Sequence, residues 1–148
     1  MKVENVMHAR PAFCSADATL SAVVAKMRDS HGGFVPIVDA AGRAVGVVTA
    51  RDVALALAEE DCRPSEVRAA GAMTMPAITC KVTDTVARAL QQMAAARVRR
   101  LVVVDEAGAL RGVLSLRDVV PVAQGVRAGV DRVSYEQIME TLNGIYAP

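Results

Sequence analysis

The chain has 148 residues, of which 53% are hydrophobic and only 3% aromatic, with no tryptophan. Its formal net charge of +1 provides no overall field to attract nucleic acid or an anionic membrane. No apolar run reaches the ~18 residues of a membrane span, and Glu4 and His8 interrupt the stretch where a signal peptide needs apolar residues. We therefore expect a soluble, cytoplasmic protein that binds neither nucleic acid nor membrane.

The cysteines and histidines indicate neither disulfides nor a metal site. Cys14, Cys62 and Cys80 form no C-x-x-C pair and are odd in number, which is typical of buried thiols in a reducing compartment. His8 and His31 are the only histidines, and neither has a cysteine at ligand spacing. We expect no metal.

The first half of the chain predicts a short lead-in ending at Met7, and then a helix capped by Thr19. The apolar residues of that helix recur at helical spacing, at Leu20, Val23, Val24 and Met27. The runs "FVPIVD" and "VGVVT" flank the Gly-containing turn "AAGRA" and predict a hairpin of two strands. Pro36 lacks an N–H, so its strand is expected at a sheet edge or to be bulged there. A further helix is predicted to begin at Thr49.

The second half repeats this pattern 66 residues later without a gap, since residues 17–53 align with 83–119. Thr85 is again a helix cap, "LVVVD" and "RGVLS" are again strands, and a helix is predicted to begin at Ser115. The predicted unit is strand–helix–strand–strand–helix, twice. Two copies are too few for an open solenoid and are expected to share one core.

The C-terminal segment "VDRVSYEQIMETLNGIYAP" predicts one more helix, with a capping box from Ser134 to Gln137 and an end at Gly144. Its apolar residues lie on one side, so it is expected to dock. The predicted domains are a first repeat at residues 1–62, a second at 63–124, and a helical extension at 125–148.

The two repeats carry the same short motif at the start of their last helix, Thr49-x-x-Asp52 and Ser115-x-x-Asp118. Taken alone, each is a capping box, in which hydroxyl and carboxylate satisfy backbone N–H groups of the first helical turn. A basic pair precedes the central strand of the second repeat only. That pair is either an exposed, solvated surface feature or a contact for phosphate.

The blocks "VMHARPAFCSADATLSAVVAKM", "GGFVPIVDAAGRAVGVVTARDV", "MTMPAITCKVTDTVARALQQM" and "RVRRLVVVDEAGALRGVLSLRDV" resemble a tandem pair of cystathionine-β-synthase (CBS) domains, the Bateman module. The resemblance implies an α/β (α+β) fold of two β-α-β-β-α repeats packed about a pseudo-two-fold axis, here followed by a C-terminal helix. It also implies a regulatory module that binds AMP, ADP, ATP or S-adenosylmethionine and performs no catalysis.

The resemblance assigns roles to particular residues. The Asp of each motif would hold the ribose hydroxyls and the Ser or Thr would approach the phosphate. The basic pair would meet phosphates, Arg117 would pair with phosphate or lie in solvent, and residues 81–82 would line the adenine cleft. The implied ligand-binding residues are Thr49, Asp52, Lys81, Val82, Arg99, Arg100, Ser115, Arg117 and Asp118. Gly33 and Phe34 stand where the first repeat would carry the basic pair, so one dominant site per chain is expected.

Alternatives to a nucleotide sensor remain at this point. A CBS pair without ligand would be a dimeric scaffold for protein interactions. An enzyme is disfavoured, because the sequence offers no nucleophile–base pair, metal cluster or Gly-rich phosphate loop, and no catalytic cofactor is expected. We expect a homodimer that acts on an unidentified regulated protein. Its two-fold surface is expected to bury the helices that contain "ALALAEE" and "DVVPVAQ", together with Val23, Val24, Leu90 and Met93.

Overall fold

The computed structural model describes residues 1–123 and 132–148, and the predicted boundary at residue 124 lies outside them. The helices are α1 (Leu20–Asp29), α2 (Ala50–Glu60), α3 (Val86–Ala96), α4 (Leu116–Val119) and α5 (Tyr135–Tyr146). The strands are β1 (His8–Ala9), β2 (Cys14–Ser15), β3 (Phe34–Val38), β4 (Ala44–Thr49), β5 (Thr79–Lys81), β6 (Arg100–Val104) and β7 (Leu110–Ser115). Short 3-10 turns cover Val3–Asn5, Ala69–Gly71 and Val120–Val122. None of the helices in these residues is long and apolar enough to cross a bilayer.

The order strand–helix–strand–strand–helix is confirmed in both repeats, as β2-α1-β3-β4-α2 and β5-α3-β6-β7-α4. Local chemistry sets the helix starts, since the Thr19 hydroxyl accepts from the N–H of Ala22 at 3.3 Å. The Thr85 hydroxyl accepts from the N–H of Arg88 in the same way, at 3.2 Å. The predicted N-caps are therefore confirmed.

The chain forms two compact units, each discontinuous in sequence. Unit 1 comprises residues 1–10, 78–106 and 111–148, and unit 2 comprises residues 11–77 and 107–110. The body of the second repeat thus lies in unit 1 and that of the first in unit 2. Each unit has a hydrophobic core of its own, so the expectation of one shared core was wrong. The domain boundary after residue 62 stays a prediction.

Unit 2 contains a three-stranded sheet in the order β2-β3-β4, with β2 parallel and β4 antiparallel to β3. Pro36 therefore lies in the central strand and not at an edge, whereas the alternative prediction, a bulge, is met close to it. The strand tolerates it because β2 pairs only with Ile37 and Val38, and the register shifts just after Pro36, between those two residues. The core of the unit packs α1 and α2 on this sheet through Leu20, Val23, Met27, Val35, Ile37, Val48 and Val53.

Unit 1 contains a four-stranded sheet in the order β1-β7-β6-β5. Its core includes Leu90, Met93, Leu101, Val103, Leu114 and Val119. Strand β1 comes from the N-terminal lead-in and pairs antiparallel with β7, with His8 opposite Val113.

The two lead-ins are exchanged between the repeats. Lys2, in the lead-in of the first repeat, forms an antiparallel β-bridge with Thr85 of the second repeat inside unit 1. A corresponding lead-in, ending at Met73, precedes the second repeat, and its Arg68 forms an antiparallel β-bridge with Thr19 of the first repeat inside unit 2. These pairs are related by the same 66-residue offset as the repeats themselves. Each compact unit is therefore completed by a segment that precedes the other repeat.

The C-terminal helix docks as predicted. Its capping box is confirmed, because the N–H of Ser134 donates to Gln137 Oε1 at 3.0 Å and the N–H of Gln137 donates to Ser134 Oγ at 3.2 Å. Helix α5 packs on α3, with Ile138 only 6% exposed in the core of unit 1. The prediction that Gly144 ends the helix was wrong, since α5 continues to Tyr146.

Candidate functional site

The motif of the first repeat joins the end of β4 to the start of α2. Asp52 Oδ2 accepts from the N–H of Thr49 at 2.7 Å and from its hydroxyl at 2.8 Å. The Thr49 hydroxyl oxygen accepts in turn from the N–H of Asp52 at 3.2 Å. Both residues are half-buried, and together they form a complete capping box.

The second repeat builds the same arrangement where β7 meets α4. Asp118 Oδ2 accepts from the N–H of Ser115 at 2.8 Å and from its hydroxyl at 2.7 Å. The Ser115 hydroxyl oxygen accepts from the N–H of Asp118 at 3.3 Å. Capping is thus confirmed in both copies.

The cap uses only one oxygen of each carboxylate. Oδ1 of Asp52 and Oδ1 of Asp118 make no hydrogen bond with any part of the chain that the structure describes. Because an ionised carboxylate accepts through both oxygens, each residue can cap its helix and accept from a ligand simultaneously. The hydroxyls have less freedom, since each already donates its proton to the carboxylate.

The basic pair of the second repeat lies beside its motif. The N–H of Leu116, the first residue of α4, donates to the carbonyl of Arg99 at 3.1 Å. This bond brings the start of β6, with Arg99 and Arg100, to the sheet end that carries Ser115 and Asp118. Arg117 is exposed in the first turn of α4 at the same end. Unit 1 therefore carries three arginine positions at the same sheet end as one carboxylate whose outer oxygen remains an acceptor.

Arg99 has a partner that sequence reasoning missed. Its Nη1 donates to the hydroxyl of Tyr146, in the last turn of α5, at 3.3 Å. The two residues are far apart in the chain, so no local pattern signals the contact. The C-terminal helix thus reaches the basic pair directly.

The first repeat has the same backbone geometry and different chemistry. The N–H of Ala50 donates to the carbonyl of Gly33 at 3.0 Å, and Phe34 lies opposite Thr49 in the β3–β4 register. No cation stands at these two positions, which are equivalent to the basic pair. Arg51 is exposed in the first turn of α2.

Lys81 and Val82 lie at the other end of β6. Lys81 pairs with Val104, the last residue of β6, whereas Arg100 is its first. At about 3.3 Å per residue, the two ends of this strand are about 13 Å apart. The structure therefore brings Arg99, Arg100, Ser115, Arg117 and Asp118 together and sets Lys81 and Val82 apart from them.

The groups of Lys81 and Val82 already have partners. Lys81 Nζ forms an exposed ion pair with Glu106, which the sequence did not signal. The N–H of Val82 donates to the carbonyl of Val104 at 3.1 Å, and its own carbonyl accepts from the N–H of Glu4 at 3.2 Å. A ligand at this end would find one remaining lone pair on the Val82 carbonyl.

The thiols and metal-ligating groups form no reactive centre in residues 1–123 and 132–148. No three His, Cys, Asp or Glu side chains converge there as a metal site would need. Cys14 and Cys80 occupy equivalent, buried positions of the two repeats. Burial, with Asp84 nearby, raises the pKa of the Cys80 thiol to about 12, so it stays protonated and is a poor nucleophile at neutral pH.

Comparison with known proteins assigns both repeats to the same family. The family model of the CBS domain matches twice, at residues 3–59 and 66–125. The chain is 32% identical over 108 residues to the uncharacterized protein MK0525 of Methanopyrus kandleri, a match that covers 73% of this chain and 55% of that protein. The chain thus spans about half the length of that relative.

Solved structures share the fold, among them the following two. The CBS domain protein TA0289 of Thermoplasma acidophilum superposes with a TM-score of 0.79 at 22% identity, covering 97% of this chain and 75% of that one. The CBS domain protein PAE2072 of Pyrobaculum aerophilum, complexed with AMP, gives a TM-score of 0.70 at 28% identity, covering 80% of this chain and 90% of that one.

Proposed function

The chain belongs to the CBS domain family, and from this premise we propose that it is a regulatory module that binds an adenine nucleotide without catalysis. One observation carries the proposal: the outer oxygen of the Asp118 carboxylate remains an acceptor at the end of the unit 1 sheet where β6 begins with Arg99 and Arg100. The AMP complex of PAE2072 supports an adenosine-containing ligand.

The ribose would bind Asp118. Its Oδ1 accepts from the vicinal 2′- and 3′-hydroxyls, while Oδ2 keeps its bonds to Ser115. The helix cap is not broken, so binding requires no rearrangement of α4. Asp52 can bind a second ribose in unit 2 by the same means.

The phosphates would bind the guanidinium groups of Arg99 and Arg100, supported by Arg117. A guanidinium matches a phosphate with two parallel, charge-assisted hydrogen bonds, about twice as strong as neutral ones. Gly33 and Phe34 supply no such group in unit 2. We therefore propose one dominant nucleotide site per chain, formed around the second repeat, for AMP, ADP, ATP or S-adenosylmethionine.

The module would act as a cytoplasmic homodimer that reports nucleotide state to a regulated protein. Its three cysteines are free, which suits a reducing compartment. Closed two-fold symmetry is the commonest arrangement of oligomers.

The experiment is a thermal-shift and calorimetric titration of the full chain with adenosine, AMP, ADP, ATP and S-adenosylmethionine. A ligand at a hundredfold excess over its Kd stabilises the native state by about 2.7 kcal/mol, which is a clear melting shift. Asp118→Ala removes the ribose acceptor and should weaken binding about ten- to hundredfold.

Asp52→Ala is the matched control. Each of the two substitutions removes a capping box, so each should lower the free energy of unfolding by ~1 kcal/mol. Asp52→Ala should leave the dominant site intact. Absence of a shift with every one of these ligands at millimolar concentration would refute nucleotide binding and favour the ligand-free scaffold.

A further inference from the structure

Unit 2 has an open apolar groove between α1 and α2, with a volume of about 470 Å³. Its lining includes Val24, Met27, Arg28, His31, Ala50 and Val53. Val24 is 41% exposed, although it belongs to the apolar stripe of α1. An amphipathic helix face left open in this way is a candidate docking surface.

The internal repeat shows what fits such a groove. The residues of unit 1 that correspond to Val24 and Met27 are Leu90 and Met93, which are 2% and 0% exposed. They share a core cluster with Ile138 of α5, which packs on α3. The surface that is open in unit 2 is therefore filled in unit 1 by an amphipathic helix. Val23, Leu90 and Met93 are buried and cannot belong to a dimer surface, which corrects the expectation from sequence.

The docking on α3 leaves one edge of the apolar face of α5 exposed, and we call this edge the outer stripe. Tyr135, Met139 and Tyr146 follow one another along it at helical spacing and are 52%, 55% and 63% exposed, although the Tyr146 hydroxyl accepts a hydrogen bond from Arg99. Glu136 and Glu140 lie beside this stripe and are also exposed. The outer surface of α5 is thus apolar with an acidic border.

The groove has the complementary charge. Arg28 and His31 are its only ionisable lining residues in the described part of the chain, and no carboxylate lines it. Arg28 forms an ion pair with Asp29, and both side chains are largely exposed, so this pair competes weakly with a partner. A basic, apolar groove and an acidic, apolar helix therefore occur together on every copy.

We propose that the α1–α2 groove binds the outer stripe of α5 from a second copy of this chain. One groove and one helix per copy let a two-fold axis close the assembly, each copy giving and receiving the same contact. This inference rests on the homodimer proposed above and specifies the surface that builds it.

The test exchanges the charges of the two surfaces in full-length chains. The groove variant is Arg28→Glu, and the helix variant is Glu136→Arg combined with Glu140→Arg. All three positions are exposed, so folding should be unaffected, which circular dichroism checks. Sedimentation velocity then measures the dimer dissociation constant of the wild type, of each variant alone and of an equimolar mixture.

Each variant alone should dimerise at least about tenfold more weakly than the wild type, because like charges then face each other at both contacts. In the mixture, the carboxylate introduced into the groove of one chain would face the arginines introduced on α5 of the other. The wild-type pairing would recur at the second contact. We therefore expect the mixture to regain the wild-type dissociation constant as a heterodimer.

The outcomes separate this inference from the proposed function. A wild-type dimer that neither variant weakens, or that only one of the two weakens, would place the interface elsewhere and overturn the inference alone. A wild-type monomer at micromolar concentration would overturn the homodimer as well, while nucleotide titration would still decide ligand binding. Met139→Lys should also weaken the dimer, whereas Thr83→Lys, at an exposed turn of unit 1, should not.

Discussion

Gly144 and Ala94 are in such close contact that a β-carbon on Gly144 would lie 2.8 Å from the β-carbon of Ala94. The Ala94 methyl group sits directly on its backbone and cannot turn aside. Helices α3 and α5 therefore approach each other as closely as they do because position 144 has no side chain. A glycine inside a helix destabilises the helix by about 1 kcal/mol relative to alanine. The close packing of α3 and α5 offsets this loss of stability.

Gly144→Ala should lower the free energy of unfolding by about 1–2 kcal/mol, since overpacking outweighs the gain in helix propensity. Urea denaturation followed by circular dichroism measures it. Asn143→Ala is the matched control, because Asn143 is exposed on the same helix and its replacement should be neutral or slightly stabilising. A stabilised Gly144→Ala protein would mean that α5 is not held against α3 at this point.

Gly112→Ala should detach the exchanged N-terminal lead-in from unit 1. A β-carbon there would lie 2.9 Å from the His8 carbonyl oxygen and 2.6 Å from the Met7 sulfur, so β1 would have to move away from β7. We expect the free energy of unfolding to fall by about 1–3 kcal/mol and amide hydrogen exchange in residues 2–9 to become faster. In Gly71→Ala the nearest atom would be Val67 Cγ1 at an ordinary 3.6 Å, so that variant should unfold like the wild type.

The stability of the protein should fall as the pH rises above about 9, partly through Cys80. The pKa of this thiol is raised from 9.0 to about 12 by burial, with a contribution from Asp84. Below pH 9 the thiol is protonated in both states. Between pH 9 and 12 the unfolded chain loses the proton and the folded one keeps it, which favours unfolding.

Urea midpoints measured from pH 8 to 10.5 test this dependence. Cys80→Val should flatten the decline relative to the wild type, because the titrating group is gone. Cys62→Ala should flatten it less, since Cys62 is more exposed. Parallel pH profiles for wild type and Cys80→Val would show that the thiol ionises equally in both states.

The basic pair should distinguish ligands by their phosphates. Arg100→Ala should weaken ATP binding by about tenfold and leave adenosine binding nearly unchanged, because only the phosphate contact is lost. Asp118→Ala should weaken both, because both contain ribose. Isothermal titration calorimetry measures the six dissociation constants of the wild type and the two variants for ATP and adenosine, and equal losses for both ligands in Arg100→Ala would contradict the assignment.

The local elements were predictable because their determinants are local. Thr19, Thr85 and Ser134 cap their helices through N–H groups three residues away, and apolar spacing identifies the buried faces without any distant contact. The 66-residue repeat predicted the order of the elements and indicated the family. The capping role of Asp52 and Asp118 was readable for the same reason. Only the three-dimensional structure shows that the cap uses one oxygen of each carboxylate and leaves the other as an acceptor.

What the tertiary structure decided concerns residues far apart in sequence. Val24 and Leu90 hold the same place in the same helical pattern, yet one is 41% exposed and the other 2%. The difference arises because α5 covers α3 in unit 1 and its Ile138 shares a core cluster with Leu90. A periodic pattern states which face of a helix is apolar. Which segment covers that face depends on packing between segments, and no spacing within one helix encodes it.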